Sequence, residues 1–151
     1  EVEYGIFSVF KGKPRQIPDY CYELPLPGRI FVKEAGIDVE ANIGPKPQTI
    51  ITTDPLIAQL DYDKIKATLV IRNRRPGDRF TPYGAAHTKK IQDFMTDEKV
   101  PRRSRDKVPI FESGGQIVWV GGLRIDDKYK ITENTKTVLF LQILKKENGC
   151  D

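Results

Sequence analysis

Basic side chains crowd one part of this sequence, and their types and spacing suit the binding of phosphate groups. Residues 64–107 contain thirteen Lys and Arg but five Asp and Glu, a net charge of +8, whereas the rest of the chain carries −4. Arginine presents a planar fork of donors that matches two phosphate oxygens, and lysine adds a mobile point charge. This charge asymmetry predicts a surface for nucleic acid or another polyanion.

The basic residues fall into three groups within residues 72–106, separated by a Pro-Gly turn, a glycine loop and a short helical pattern. The candidate phosphate contacts are Arg72, Arg74, Arg75, Arg79, Lys89, Lys90, Arg102, Arg103 and Arg105. An alternative for the first group is that some of its arginines pair with Asp78 and hold the loop shut. For the lysines, the alternative is a solvated helix face on which Lys89 pairs with Asp93. Asp106 is expected to orient an arginine of the third group.

No arrangement of residues predicts a catalytic or a metal site. The acids of residues 93–98 are typical of a solvated helix face rather than of general acid–base chemistry. His87, Cys21 and Cys150 together offer three metal ligands, fewer than the four of a structural zinc site, and a lone histidine supports no triad. The Ser-Gly-Gly of residues 113–115 lacks the Asp-Ser that completes a nucleotide-binding loop.

Length and composition predict one domain or two small subdomains. The chain has 151 residues, of which 38% are hydrophobic and 30% charged. It contains no apolar run long enough to span a membrane and no secretion signal, so we expect a cytoplasmic protein with reduced cysteines. Because the sequence begins with Glu1 rather than Met, we expect it to be a piece of a longer polypeptide.

The pattern of apolar residues predicts more strand than helix. Strands are expected at residues 2–11, 21–24, 29–34, 37–43, 48–53, 67–72, 108–111, 116–120, 123–125 and 137–144. The third and fourth strands of this series, 29–34 and 37–43, should form a hairpin, and residues 55–66 allow one short helical turn. The order of elements predicts the α+β class, with a strand-rich mixed sheet or partial barrel.

One main short helix is predicted over about residues 89–98. Thr88 is a plausible N-cap, and Ile91, Phe94 and Met95 form an apolar stripe at i, i+3 and i+4. Lys89 and Lys90 would then lie in the first turn, where free backbone N–H groups could help to hold a phosphate. The arginines that follow Pro101 are expected in an exposed loop.

Several short motifs in residues 69–126 resemble the C-terminal region of tRNA(Ile)-lysidine synthases. They are LVIRNRRPGDRFTPYG, TKKIQDFMTDEKVPRRSRD, VPIF and IVWVGGLRID, in the order and spacing of that family. The resemblance divides the chain into a β-rich N-terminal subdomain or linker, residues 1–66, and a C-terminal tRNA-binding domain, residues 67–148. The first of these parts matches the family only loosely.

The resemblance implies part of a ligase that joins lysine to the wobble cytidine of an isoleucine tRNA with a CAU anticodon. In this family an N-terminal PP-loop domain, absent from this sequence, uses ATP and Mg²⁺ for the chemistry. The chain alone is therefore expected to be inactive and to hold no cofactor. Its implied role is to grip the acceptor-stem side of the tRNA, with that N-terminal domain as a second partner. The alternative is a basic docking module without RNA contact, and the oligomeric state is left open.

Overall fold

A computed structural model describes residues 17–51 and 53–145 of the chain. In these ranges the chain forms eleven strands, one α-helix and three short 3-10 helices, the latter at Tyr62–Lys64, Arg102–Lys107 and Asp127–Tyr129. The strands are β1 (Cys21–Glu23), β2 (Gly28–Val32), β3 (Ile37–Pro45), β4 (Ile57–Asp61), β5 (Leu69–Arg72), β6 (Arg79–Phe80), β7 (Lys89–Lys90), β8 (Ile110–Ser113), β9 (Gln116–Val120), β10 (Arg124–Ile125) and β11 (Thr137–Lys145), and the helix is α1 (Ile91–Asp97). The strand predicted over residues 2–11 lies outside the described residues.

Two open sheets and one short ribbon make up the fold. The first sheet has the order β1-β5-β8-β9-β10, the second has the order β2-β3-β11-β4, and β6 pairs with β7. All the pairings between these strands are antiparallel. The predicted strand-rich α+β class with one main helix is confirmed. The boundary between residues 66 and 67 stays a prediction, and both sheets combine strands from its two sides.

The main hydrophobic core contains residues of both large sheets. In β3, buried and partly exposed residues alternate from Ile37 to Ala41, as the sequence pattern predicts for a strand with one packed face. Leu139 and Leu141 of β11 are fully buried in the same cluster as Trp119 of β9. The burial of both β3 and β11 fixes their register, because a one-residue slip would expose the whole apolar face.

A second, smaller core anchors α1 against the first sheet. Ile91, Phe94 and Met95 are at most 2% exposed, which confirms the predicted apolar stripe. They share a cluster with Phe80 of β6, whose ring lies edge-on to that of Phe94 with centroids 5.0 Å apart. This contact joins the β6–β7 ribbon to the helix and fixes the position of the basic residues on the ribbon.

The predicted start of the helix is wrong by two residues. Lys89 and Lys90 form β7, because they pair with Phe80 and Arg79 of β6, and Lys90 keeps an extended backbone. The Thr88 hydroxyl lies 3.1 Å from that of Thr81 and does not cap the helix. The Ile91 N–H donates to the Asp78 carbonyl at 2.9 Å, so this group at the start of the helix is already satisfied.

Three other predicted elements differ from the structure. Residues 48–51 form a bend and no strand, whereas residues 55–66 contain β4 followed by a 3-10 turn. β4 pairs with β11, and this long-range pairing decides its conformation. The segment predicted as an arginine loop is the 3-10 helix Arg102–Lys107. Within residues 17–51 and 53–145, no helix is long and apolar enough to cross a membrane.

Candidate nucleic-acid interface

A buried ion pair at the end of β5 organises the basic surface. Arg72 is 4% exposed, and its Nη1 and Nη2 donate to the two carboxylate oxygens of Asp78, each at 3.0 Å. Its Nε donates to Glu112 of the neighbouring strand at 2.6 Å. Burial alone would lower the pKa of the Arg72 guanidinium, but the hydrogen bonds to Asp78 and Glu112 leave that pKa above its usual value. Arg72 therefore holds structure together and presents no fork to a ligand.

The same Asp78 carboxylate closes the turn over residues 75–78. Its Oδ2 accepts the Arg75 N–H at 2.7 Å, while the Asp78 N–H donates to the Arg75 carbonyl at 3.1 Å. Gly77 has φ of +86°, which an L side chain adopts only with strain. The predicted Pro-Gly-Asp turn is confirmed, and its closure fixes the backbone from which the exposed Arg75 side chain projects.

Arginines of the 3-10 helix lie beside this turn. The Arg74 Nε donates to Asp106 at 3.1 Å, so Asp106 orients an arginine of the first group. Arg105 is 8% exposed, and its Nε donates to the Val100 carbonyl at 3.0 Å. Burial lowers the pKa of the Arg105 guanidinium most, and the nearby positive charges of Arg74 and Arg102 lower it further. The two groups of arginines thus reinforce one positive field.

The turn and the β6–β7 ribbon enclose a cleft of about 370 Å³. Arg74, Arg75 and Lys90 contribute to its lining, together with Gln92 from the first turn of α1. Arg79 lies opposite Lys90 in the backbone pairing of β6 with β7, and both side chains are exposed. The structure therefore brings Arg74, Arg75 and Lys90 to a single concave surface. Arg102 and Arg103 are exposed on the 3-10 helix whose Asp106 contacts Arg74.

The nine candidate contacts separate into three kinds by burial and pairing. Arg72 and Arg105 are buried and bonded to protein groups. Lys89 is partly exposed, and its ammonium group forms an ion pair with Asp97 rather than with Asp93. The remaining residues, which are half-exposed or exposed, are Arg74, Arg75, Arg79, Lys90, Arg102 and Arg103.

Comparison with known proteins gives the family to which the fold is related. The family model described as the TilS substrate C-terminal domain matches residues 69–141. A solved structure titled "Crystal structure of TILS C-terminal domain" superposes with a TM-score of 0.76 at 26% identity, and the match covers 87% of this chain and all of that one. Residues 69–141 belong to the TilS C-terminal domain family.

Curated relatives of this TilS C-terminal domain are named tRNA(Ile)-lysidine synthase. The one from Caldanaerobacter subterraneus is 47% identical over 85 residues, which is 56% of this chain and 18% of the relative. The one from Symbiobacterium thermophilum is 29% identical over 153 residues, covering 98% of this chain and 32% of the relative. This chain thus matches less than a third of the length of either relative. A fragment of the phenylalanyl-tRNA synthetase β-subunit from Pyrococcus horikoshii shares the fold alone, with a TM-score of 0.52 at 15% identity.

The TilS C-terminal domain also contains positioning residues that the sequence analysis did not select. Asp126 is 4% exposed and accepts the Thr81 N–H at 3.0 Å, and Asp127 accepts the Gly84 N–H at 3.1 Å. The bond from Gly84 and the ammonium group of Lys130 lower the pKa of Asp127 despite an opposing effect of burial. The available signal was the Asp-Asp-Lys pattern after an apolar strand, since Asp126 also caps the following 3-10 turn.

Among the described residues, no cluster of three or more His, Cys, Asp or Glu is arranged to hold a metal ion. Cys21 is a free, exposed thiol, and Cys150 lies outside the described residues. The exposed arginine and lysine donors of the surface can bind anions.

Proposed function

We propose that this chain is the tRNA-binding C-terminal module of a tRNA(Ile)-lysidine synthase. It grips an isoleucine tRNA with a CAU anticodon on the acceptor-stem side. An N-terminal catalytic domain of the same cytoplasmic polypeptide, using ATP and Mg²⁺, joins lysine to the wobble cytidine. The module has no catalytic residue of its own and is inactive alone. The names of the curated relatives support the substrate, and the basic cleft supports the role.

The observation that carries this proposal is the convergence of Arg74, Arg75 and Lys90 on one cleft whose backbone is held by the Arg72–Asp78 pair. An A-form RNA stem hides its bases in a deep groove and displays phosphates and 2′-hydroxyl groups. A protein that recognises such a stem needs cations at fixed positions more than it needs groups that read bases. Cations on a closed turn and a paired ribbon meet this requirement, because little conformational freedom is lost on binding.

Salt dependence provides the first test. Six cations that each contact a phosphate, namely the half-exposed Arg74 and five exposed ones, should give a steep fall in affinity, about 10³-fold between 50 and 200 mM salt. Fluorescence anisotropy of labelled tRNA(Ile) with the 151-residue chain measures this slope directly. An affinity that is undetectable at 50 mM, or that stays constant over this range, contradicts the proposal.

Charge reversal on the surface provides the second test. Arg75→Glu with Arg103→Glu should weaken tRNA binding by at least tenfold while leaving Tm nearly unchanged, because both side chains are exposed. The matched control is Lys33→Glu with Lys136→Glu, which changes the net charge equally at exposed positions outside the basic segment. If the control weakens binding as much as the test variant does, the effect comes from overall charge and the cleft is not the site.

A mixing experiment separates tRNA binding from docking. The chain is combined with a separately expressed N-terminal catalytic domain, and the complex is sized with and without tRNA. The proposal expects tRNA to be bound by this chain without the other domain. A tight protein complex that forms while the chain shows no affinity for tRNA would replace the proposal by a docking role for the basic surface.

A further inference from the structure

A second groove lies beyond the far end of the β6–β7 ribbon and combines an apolar floor with a cationic rim. Its volume is about 350 Å³, within the range of about 300–1,000 Å³ for small-ligand sites. Three of its lining residues are large, exposed hydrophobics, namely Ile50, Ile51 and Tyr83, with exposures of 39%, 43% and 48%. Exposed apolar side chains that gather in one concavity indicate a binding surface.

Tyr83 is exposed, but the backbone that carries it is fixed. Its own N–H donates to the Ile125 carbonyl at 2.9 Å. On either side, Thr81 and Gly84 donate to the carboxylates of Asp126 and Asp127 at 3.0 and 3.1 Å. An aromatic ring on so constrained a loop loses little conformational entropy when a ligand stacks on it.

The rim of the groove is suited to a phosphodiester. Arg124 and Lys130 line it with side chains that are 41% and 42% exposed. The same lining contains one carboxylate, that of Asp54, so positive side chains outnumber negative ones there. Arg124 also pairs with Glu98, and Lys130 with Asp127, so that both cations are oriented by protein carboxylates. Cations beside an exposed aromatic ring form the arrangement that binds single-stranded nucleic acid.

The groove and the basic cleft share no lining residue, but the β6–β7 ribbon and its loop link them along the chain. Tyr83 lies in the loop that joins β6 to β7, and these are the strands that carry Arg79 and Lys90. Four residues of extended chain separate Arg79 from Tyr83, a reach of at most about 13 Å. A nucleic-acid strand whose phosphates sit on the cleft therefore meets Tyr83 within about two nucleotides.

We propose that this groove takes an unpaired nucleotide of the bound RNA, with its base stacked on Tyr83 and its phosphate near Arg124 and Lys130. This inference rests on the proposed function and extends it, because it adds a single-stranded subsite to a surface that grips a duplex. Stacking uses the face that every base possesses, so the subsite is tolerant of base identity.

The test uses two RNA hairpins with the same stem, one blunt and one with a single-stranded 3′ extension of four nucleotides. Both are titrated with the 151-residue chain, and the extension carries 2-aminopurine. The extended hairpin should bind more tightly, and 2-aminopurine fluorescence should fall on binding. Tyr83→Leu should reduce affinity for the extended hairpin by about 5- to 150-fold and leave the blunt one unchanged, whereas Tyr83→Phe should keep the advantage. Phe31→Leu, at an aromatic residue of 47% exposure on β2, is the matched control and should behave as wild type.

The outcomes separate the two proposals. If neither hairpin binds, the proposed function fails. If both bind equally and Tyr83→Leu changes nothing, the duplex role stands and the stacking subsite is overturned. If Tyr83→Leu leaves RNA binding intact but abolishes a complex with the N-terminal domain, the groove is a protein-docking surface, and the RNA assignment is likewise overturned. A loss of affinity for the blunt hairpin in Tyr83→Leu also contradicts it.

Discussion

Replacing Asp78 with alanine should strongly destabilise the protein, because this carboxylate neutralises a buried guanidinium. Both Nη atoms of Arg72 donate to Asp78 at 3.0 Å, and Arg72 is 4% exposed. Removal of one partner from a buried ion pair costs about 3–5 kcal/mol. Since Glu112 still accepts the Arg72 Nε at 2.6 Å, we expect the lower end, about 3 kcal/mol. For a chain of 151 residues this loss lowers Tm by about 6–12 °C.

Urea unfolding and thermal melts followed by circular dichroism measure this effect. Asp97→Ala is the control, because Asp97 forms an exposed ion pair with Lys89, in which the two side chains are 55% and 41% exposed. This substitution should lower the free energy of unfolding by no more than about 0.5 kcal/mol. In the Arg72→Met background, Asp78→Ala should cost at least about 1.5 kcal/mol less than in the wild type. If Asp78→Ala costs the same as Asp97→Ala, or the same in both backgrounds, the buried pair does not hold the turn.

Three further predictions follow from individual contacts. Tyr20→Phe should leave the free energy of unfolding, measured in urea, unchanged or raise it by about 1 kcal/mol, because the buried Tyr20 hydroxyl has no partner among the described residues. Tyr22→Phe, by contrast, should lower the free energy of unfolding by about 1 kcal/mol, because it removes the hydrogen bond to Glu34. Asp127 has a lowered pKa, so its stabilising effect is present above about pH 4 and is lost as pH falls through the folded pKa; Asp127→Asn should flatten that acid limb, and an unchanged limb would contradict the assignment. Gly77→Ala should cost about 1 kcal/mol or more because of its φ of +86°, measured against the exposed, strain-free Ala86→Gly.

Local patterns in the sequence predicted the parts of the site that depend on near neighbours. The spacing of Ile91, Phe94 and Met95 identified the packed face of α1, since residues three and four apart share one side of a helix. The Pro-Gly-Asp sequence identified the turn over residues 75–78, because each of its residues favours that backbone locally. These features required no knowledge of how the strands are arranged.

Burial of individual arginines could not be predicted in the same way. The environment of Arg72 depends on Glu112, which reaches it only because β5 pairs with β8. Arg105 is likewise buried by a contact with the Val100 carbonyl that a loop prediction does not contain. Composition places thirteen cations in residues 64–107, but tertiary pairing decides which of them face solvent.

Elements whose secondary structure depends on a partner strand could not be predicted from the sequence for a related reason. Lys89 and Lys90 have no strong preference for a strand, and their pairing with β6 gives them one. Residues 57–61 become a strand because β11 supplies the hydrogen-bonding partner from the far end of the chain. In such a segment, pairing with a partner strand decides the backbone conformation more strongly than the helical spacing of apolar residues does.

The central place of β11 in its sheet has a consequence for how the protein folds. β11 lies between β3 and β4, so neither of those strands has its inner neighbour until β11 has been synthesised. During translation their open edges are available for pairing with other chains, and folding must wait for contacts between distant parts of the sequence. We therefore expect slow refolding, and aggregation of nascent chains that stop before residue 137, whereas shortening the first sheet at β10 should have a smaller effect.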